Sequence, residues 1–465
     1  MRLRILLALL LGLLVWGWTV SAFSIERFPP PEFESEYQRP TFTAPSPRGL
    51  NWQAVDALVL AACLGLSSYL ILRRRSRPAV VGLMIFSLAY FGFYREGCIC
   101  AIGAIQNMSL SIFNPGYIVP LSALVFFIVP LAATLFFGRS FCAGVCPFGA
   151  VQDLTLLRPV NVPAWLEHSL RYLAYVYLAL AVWLSAMGSA FIICKYDPYV
   201  GIFRRNANLT MVILGGALLV IGFFVGRPYC RFLCPYGVIL RQLSRLSKWR
   251  VKITPTDCNQ CRLCEDACPY GAIRTPVPAW PAGTYREDKR RLARLLVLLP
   301  ILVAAGAWLG HNLAPLTART HATVALAERI FMEESGQATD ATDASEAFRA
   351  SGETIGSLYE RAAAIRAGFE RGGWFFGGFL GLVLGGKLIL LSLRQRQTDY
   401  EADRAGCVSC GRCFKYCPKE HERLLTIHGP GGHNGQGRAH SSITSTLSTK
   451  STVEVFPGEK APYDQ

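Results

Sequence analysis

Sixteen cysteines punctuate this 465-residue chain, and most fall in runs spaced for metal ligation rather than for disulfide bridging. One run reads Cys258-Asn-Gln-Cys261-Arg-Leu-Cys264-Glu-Asp-Ala-Cys268-Pro269, and it recurs as Cys407-Val-Ser-Cys410-Gly-Arg-Cys413-Phe-Lys-Tyr-Cys417-Pro418. Three cysteines at intervals of three wrap one face of an iron-sulfur cubane, and a fourth, followed by proline, turns away to ligate another cluster. Four thiolates also suit tetrahedral zinc, but two complete copies ending in Cys-Pro favour iron and sulfide. The chemistry on offer is electron storage and transfer.

A second pattern is an internal repeat. Residues 138–149 (GRSFCAGVCPFG) match residues 226–237 (GRPYCRFLCPYG) nearly position for position. Cys142 with Cys146, and Cys230 with Cys234, are four apart, so each copy is expected to present two thiols on one helical face. Together the copies offer four thiolates to one further metal centre, with Arg139 and Arg227 near enough to offset its charge. Two reduced thiol pairs, or cysteines packed as small apolar side chains, are the plainer alternatives. Cys63, alone in an apolar run, reads as packing.

These motifs sit in a chain that is 52% hydrophobic and 17% charged, too apolar for an ordinary soluble globule. The expected fold class is an all-α polytopic membrane protein carrying a small split bacterial-type ferredoxin (α+β). Residues 1–22 read as a signal peptide or anchor, and 23–50 as an extended periplasmic segment. Apolar stretches at 54–72, 79–97, 117–137, 170–193, 209–226, 292–310 and 374–393 then predict about seven spans. Arg73, Arg74, Arg75 and Arg77, then Lys289, Arg290, Arg291 and Arg294, then Arg394 and Arg396, mark the cytoplasmic side; Lys195, Arg204 and Arg205 run against that rule but are outnumbered. The formal charge of +16 is thus assigned to membrane orientation, not to nucleic acid.

The predicted organisation is a membrane core at 51–246 containing the repeat, a first ferredoxin half at 247–288, a span at 289–310 and a periplasmic helical insertion at 311–373. A span at 374–397, a second ferredoxin half at 398–428 and a disordered tail at 429–465 follow. An even number of spans separates the two ferredoxin halves, so both emerge on the cytoplasmic side and are able to dock. Cys258, Cys261, Cys264 and Cys417 are then expected on one four-iron four-sulfur cluster, with Cys407, Cys410, Cys413 and Cys268 on the other. Four local ligands per cluster is the alternative. Cys98, Cys100 and Cys194 fall on the periplasmic side, where a disulfide and an exit-side metal or redox centre are equally open readings.

At the paired Cys-x-x-x-Cys-Pro motifs followed by two ferredoxin runs, the chain resembles the NosR/NapH family of membrane polyferredoxins, over roughly residues 51–285 and 374–420. The resemblance implies a location in the bacterial cytoplasmic (inner) membrane. It also implies electron exchange with periplasmic enzymes, nitrous-oxide reductase in the NosR case, and a quinol dehydrogenase role as in NapH. NosR carries a large periplasmic flavin-binding domain before its first such span; only 23–50 occupies that place here, and no Ser/Thr-Gly-Ala-Ser/Thr attachment motif is present, so no covalent flavin is expected. Histidines lie at 168, 311, 321 and from 421 onward, at edges or outside spans, so no haem is expected.

The expected function is electron transfer linking a quinol pool or cytoplasmic electron donor to a periplasmic flavoprotein or reductase, within the membrane lipid. An assembly or metal-maturation factor for a copper enzyme and a transmembrane redox sensor are the alternatives. No carboxylate pair, nucleophile triad or phosphate loop points to other chemistry.

Overall fold

A computed structural model describes residues 49–97, 101–204, 209–253, 258–277, 285–338, 340–393, 399–420 and 422. The predicted signal at 1–22, nearly all of 23–50, the tail at 429–465, and Cys98 and Cys100 lie outside these residues. The protein is a helical membrane protein. Apolar runs without water to bond must close their backbone hydrogen bonds internally, and helices do this.

Five helical stretches are long and apolar enough to cross a bilayer: 51–74, 77–94, 164–186, 287–318 and 355–392. A sixth arises if Pro198–Arg204 and Leu209–Gly222, bent by 111°, form one span. The expected stretches at 117–137 and 209–226 fold as helices of 17 and 14 residues, Leu121–Phe137 and Leu209–Gly222. At 1.5 Å per residue these reach about 25 and 21 Å, short of the roughly 30 Å hydrocarbon core. The first is clipped by Pro120 at its start and by Gly138, at φ 69°, after its end. A further apolar helix, Ala101–Phe113, was not among the expected spans; it is 13 residues long and buried along its first six positions.

The first two spans grip the first repeat copy. Ser67 Oγ donates to the Ser140 carbonyl at 2.9 Å and Ser87 Oγ to the Gly144 carbonyl at 2.9 Å. A Cβ on Gly144 would stand 3.0 Å from Ser67 Oγ and 3.1 Å from Leu83, so glycine permits the close approach.

Farther along, Tyr285–Ala318 and Ile355–Ser392 form a long hairpin. Gly373, Gly377 and Gly381 recur every fourth residue on the second helix and meet the backbone of the first at Gly310, Gly306 and Leu302. A Cβ on Gly377 would run into the Gly306 carbonyl, so the helices touch main chain to main chain, as small-residue membrane interfaces do. Gly377→Leu is therefore expected to cost at least about 1–3 kcal/mol of overpacking strain. Gly386→Leu, where a side chain would meet nothing within 4 Å, is the control. Thermal unfolding in detergent of both variants checks this.

The two cysteine-rich segments meet although a hairpin separates them in sequence. Ile273–Arg274 pairs antiparallel with Glu401–Ala402, Ile273 opposite Ala402, and the Asp403 amide donates to the Ala272 carbonyl at 2.7 Å. The short helices Leu263–Asp266 and Arg412–Tyr416 pack together beside this strand pair. The chain up to Tyr416 is one compact unit. Cys417–Gln465 is a second, whose described part contains a Lys419–Glu422 ion pair at 3.1 Å.

Candidate iron-sulfur site

The second cysteine of each repeat copy does not continue a helix. Phe141–Val145 and Pro228–Phe232 are single turns, and Cys146 and Cys234 are the N-caps of the next helices, Pro147–Leu154 and Pro235–Ser244. This corrects the expected one-face pair. Proline supplies no N–H and pushes the residue before it into extended backbone, here ψ 116° at Cys146 and 112° at Cys234, so each Cys-Pro restarts the chain. The restart favours thiolate chemistry, because free amides and the positive end of the helix dipole face a sulfur. Cys234 Sγ accepts from the Gly237 amide at 3.3 Å.

The two copies interlock. Arg227 donates to the Cys142 carbonyl, and a Cβ on Gly149 would stand 3.1 Å from both partners of that bond. Gln152 donates to Cys230 Sγ at 3.3 Å while its carbonyl takes the Tyr229 amide at 2.9 Å. Arg139 Nη2 reaches Cys142 Sγ at 3.7 Å. Burial pushes the Cys230 thiol up to about 11, with Cys142 adding to it against the pull of Arg227. Burial also drives Cys234 well up, with Cys230, Cys146 and Cys142 each adding to the rise. Among the described residues, no three Cys, His, Asp or Glu side chains close into a preformed metal cage.

The two ferredoxin-spaced runs share an unusual backbone. In the first, Gln260 (φ 52°) and Arg262 (φ 61°) are left-handed; in the second, Ser409 (φ 56°) and Gly411 (φ 74°) are, at the same offsets from Cys258 and Cys407. Left-handed residues among right-handed ones turn successive amides to one side and make an anion-holding nest, which suits a thiolate-bound cluster. Sulfur-directed amides are present: Ala272 to Cys268 at 3.4 Å and Ser409 to Cys407 at 3.4 Å.

Burial raises the Cys413 thiol far above its usual value, with its neighbours Cys407, Cys410, Cys268 and Cys264 adding to the rise. Cys407 is raised to about 12, again by burial, with Cys410 and Cys268 adding. Thus Cys268 and Cys264, both from the first run, lie near cysteines of the second, and Cys268 packs with Cys407 against Tyr270, Ala272, Val408 and Cys410. Cys264 is buried and Cys261 exposed, while Cys258 is intermediate. Cys417 belongs to the second unit and is not placed against these.

One acid, a single polar residue with no motif around it, joins the first repeat to the second and to both cysteine-rich segments. Asp153, in the helix after the first repeat, pairs with Arg77, with Arg227 at 3.6 Å and with Arg412 at 3.5 Å, and accepts the Tyr270 hydroxyl at 2.6 Å. Burial works to raise its pKa, but Arg227, Arg77, Arg412 and Tyr270 outweigh that and hold it far below the carboxylate range. Arg77 also donates to the Cys410 carbonyl at 2.8 Å and Arg231 to the Pro269 carbonyl at 3.1 Å. Gly226 is needed because a Cβ there would stand 2.9 Å from the Pro269 oxygen.

At the other end of the repeats, Cys194 is exposed, and a Cβ on Gly103 would stand 3.1 Å from its sulfur. Gln106, fully buried, accepts the Ile193 amide at 3.0 Å and so fixes this turn. Asp197 accepts the Tyr229 hydroxyl at 2.6 Å, linking the Cys194 turn to the second repeat.

Helices of membrane length around these cysteine runs define a membrane-bound iron-sulfur protein of the electron-transfer class. Models of a 4Fe-4S binding domain match residues 119–162 and 207–254, which hold the two repeat copies, and 251–274, which holds the first ferredoxin-spaced run. An uncharacterised protein of Methanocaldococcus jannaschii is 31% identical over 189 residues, covering 39% of this chain and 76% of that protein. Protein NirI of Paracoccus denitrificans is 32% identical over 237 residues, 47% of this chain and 34% of NirI. The regulatory protein NosR of Pseudomonas aeruginosa is 29% identical over 237 residues, 46% of this chain and 33% of NosR. The chain belongs to the NosR/NapH-type family of membrane ferredoxin-type proteins. It spans about a third of NirI and of NosR. No solved structure matches it.

Proposed function

We propose that this chain is an electron carrier of the bacterial inner membrane, with one split ferredoxin on the cytoplasmic side and a further iron-sulfur centre on the paired repeats. In this reading Cys258, Cys261, Cys264 and Cys417 hold one four-iron four-sulfur cluster, and Cys407, Cys410, Cys413 and Cys268 hold the other. Cys142, Cys146, Cys230 and Cys234 hold the third centre. Bound clusters supply reversible one-electron storage. The protein's own part is to bury the sulfurs, aim amides at them and fix the ferredoxin on the repeats through Asp153.

The observation that carries this reading is the packing of Cys268, from the first run, together with Cys407 against the buried Tyr270, Ala272, Val408 and Cys410. The proposed topology places 311–373 outside and the ferredoxin halves 247–288 and 398–428 inside, supported by the arginine clusters. Electrons would pass between a quinol pool or cytoplasmic donor and a periplasmic flavoprotein or reductase. Cys98, Cys100 and Cys194 stand at the periplasmic end as a disulfide or exit redox site. Haem and covalent flavin have no part in this scheme, and a pyridine haemochrome assay on the purified chain is expected to find no haem.

The test is anaerobic purification with iron and sulfide counts, followed by reduction with a quinol analogue and reoxidation. The wild type should carry clearly more than the about eight iron atoms of two four-iron clusters. The Cys146→Ser/Cys234→Ser variant should fall to about eight. Equal counts of about eight in both would reject the third centre. The regulatory name of the NosR relative favours a second reading, a transmembrane redox sensor; such a protein would bind the same clusters but fail to turn over with quinol.

A further inference from the structure

Where the cysteine-rich segments meet the repeats and the helix Ala164–Ala186, a chamber of about 20 Å³ is lined by Arg139, Arg171, Arg227, Arg231 and Arg241. Tyr270 closes it from the ferredoxin side, and no acid is among the lining residues. The space fits about one water molecule or a monatomic anion of similar size, and is too small for a phosphate or an organic acid.

The groups around the chamber leave its cations only partly matched. Glu167 is shared between Arg231, at 2.7 Å, and Arg171. Asp153 is divided among Arg227, Arg77 and Arg412. The thiols on either side draw on Arg227 and Arg139 at Cys230, on Arg139 at Cys407 and on Arg231 at Cys268. Arg241 is left over: among the described residues it has no carboxylate at ion-pair distance, and it donates to the Arg231 carbonyl at 3.5 Å, a weak bond. The Nε atoms of Arg139, Arg171 and Arg241 are buried without a hydrogen-bond partner. Burial, with Arg139 and Arg171 adding to it, pulls Arg241 down to about 9 against Tyr175 and Glu167. Buried cations in such excess are costly unless a negative group stands among them.

We propose that this chamber is a binding site for a monatomic halide anion, chloride in the cell, held among the guanidinium groups of Arg139, Arg171 and Arg241. Buried N–H donors around a water-sized space, with a surplus of positive charge, set both the size and the sign of the ligand. A water molecule would satisfy some of the donors yet leave the charge in place, whereas a halide does both. The ion would join three elements: the first repeat through Arg139, the helix Ala164–Ala186 through Arg171 and the helix Pro235–Ser244 through Arg241. Since Tyr270 closes the same chamber, the halide is a structural counter-ion where the first cysteine-rich segment meets the membrane core. The inference needs no third metal centre; the cysteines enter only as neighbours that leave Arg171 and Arg241 unmatched.

Thermal unfolding of the full-length protein, purified anaerobically in detergent, is the test, with chloride exchanged for gluconate at constant ionic strength. Chloride should raise the unfolding midpoint in a saturable way and bromide should replace it, whereas gluconate is too large for the chamber and should not. Arg241→Gln should weaken the apparent halide affinity about tenfold, the effect of losing one charge-assisted hydrogen bond. Arg245→Gln, which changes an exposed arginine, should leave that affinity as in the wild type. Anomalous diffraction from bromide-soaked crystals of the wild type needs no variant, and should show a peak among Arg139, Arg171 and Arg241. Bromide at the surface alone, a midpoint that follows ionic strength alone, or an Arg241→Gln variant with the wild-type chloride dependence would each overturn the proposal.

Discussion

Cys268→Ser combined with Cys410→Ser is expected to lose no more iron than either change alone, about four atoms, whereas Cys268→Ser combined with Cys261→Ser should lose about eight. Two ligands of one cluster cannot remove it twice, so non-additivity reports shared membership. The geometry behind this is specific. Cys268 lies past the helix Leu263–Asp266, next to the strand Ile273–Arg274 that pairs with Glu401–Ala402. That pairing brings Cys268 to the second run, where it packs with Cys407 against Tyr270, Ala272, Val408 and Cys410. With four local ligands per cluster the outcomes would reverse, Cys268 with Cys261 behaving as one unit. Anaerobic iron and sulfide counts on the three single and two double variants decide between them.

The candidate cysteines are legible from residue types alone, because their spacing matches that of iron-sulfur ligands. The repeat was equally plain, since its glycine, arginine and proline recur with the cysteines. The prolines, though, also decide the local fold in a way that cysteine spacing does not convey: Pro147 and Pro235 make Cys146 and Cys234 helix caps instead of members of a continuous helix face. The left-handed Gln260, Arg262 and Ser409 were invisible, because only Gly411 among those positions has a residue type that announces such backbone. Helical character followed from the apolar runs, but span length did not. Hydropathy says nothing of where Pro120 and Gly138 cut a helix, and Ala101–Phe113 was hidden by being too short to count as a span. Gln106, Gln152 and Asp153 are single polar residues in apolar company. Their roles depend on partners distant in sequence, such as Ile193, Cys230 and Arg412.

Asp153→Ala is expected to destabilise the protein by about 3–5 kcal/mol, the usual cost of stranding buried charge partners. Arg227 is almost wholly buried, and Arg77 and Arg412 are largely so, so none finds water readily once the carboxylate is gone. Tyr270 loses its acceptor as well, which frees one edge of the first cysteine-rich segment. Faster protease cleavage within residues 258–277 and 399–416, together with a lower unfolding midpoint in detergent, would register the loosened docking. Asp153→Asn keeps the shape and removes only the charge, which isolates the ionic part. Because the arginines depress the folded pKa of Asp153 despite its burial, its contribution is fully present above the unfolded carboxylate value of about 3.9 and is lost as pH falls toward the folded value. The stability gap between wild type and Asp153→Asn should therefore stay level from about pH 8 to pH 5 and narrow only below about pH 4. A gap that narrowed already between pH 7 and pH 5 would mean that Asp153 is not held by its three arginines.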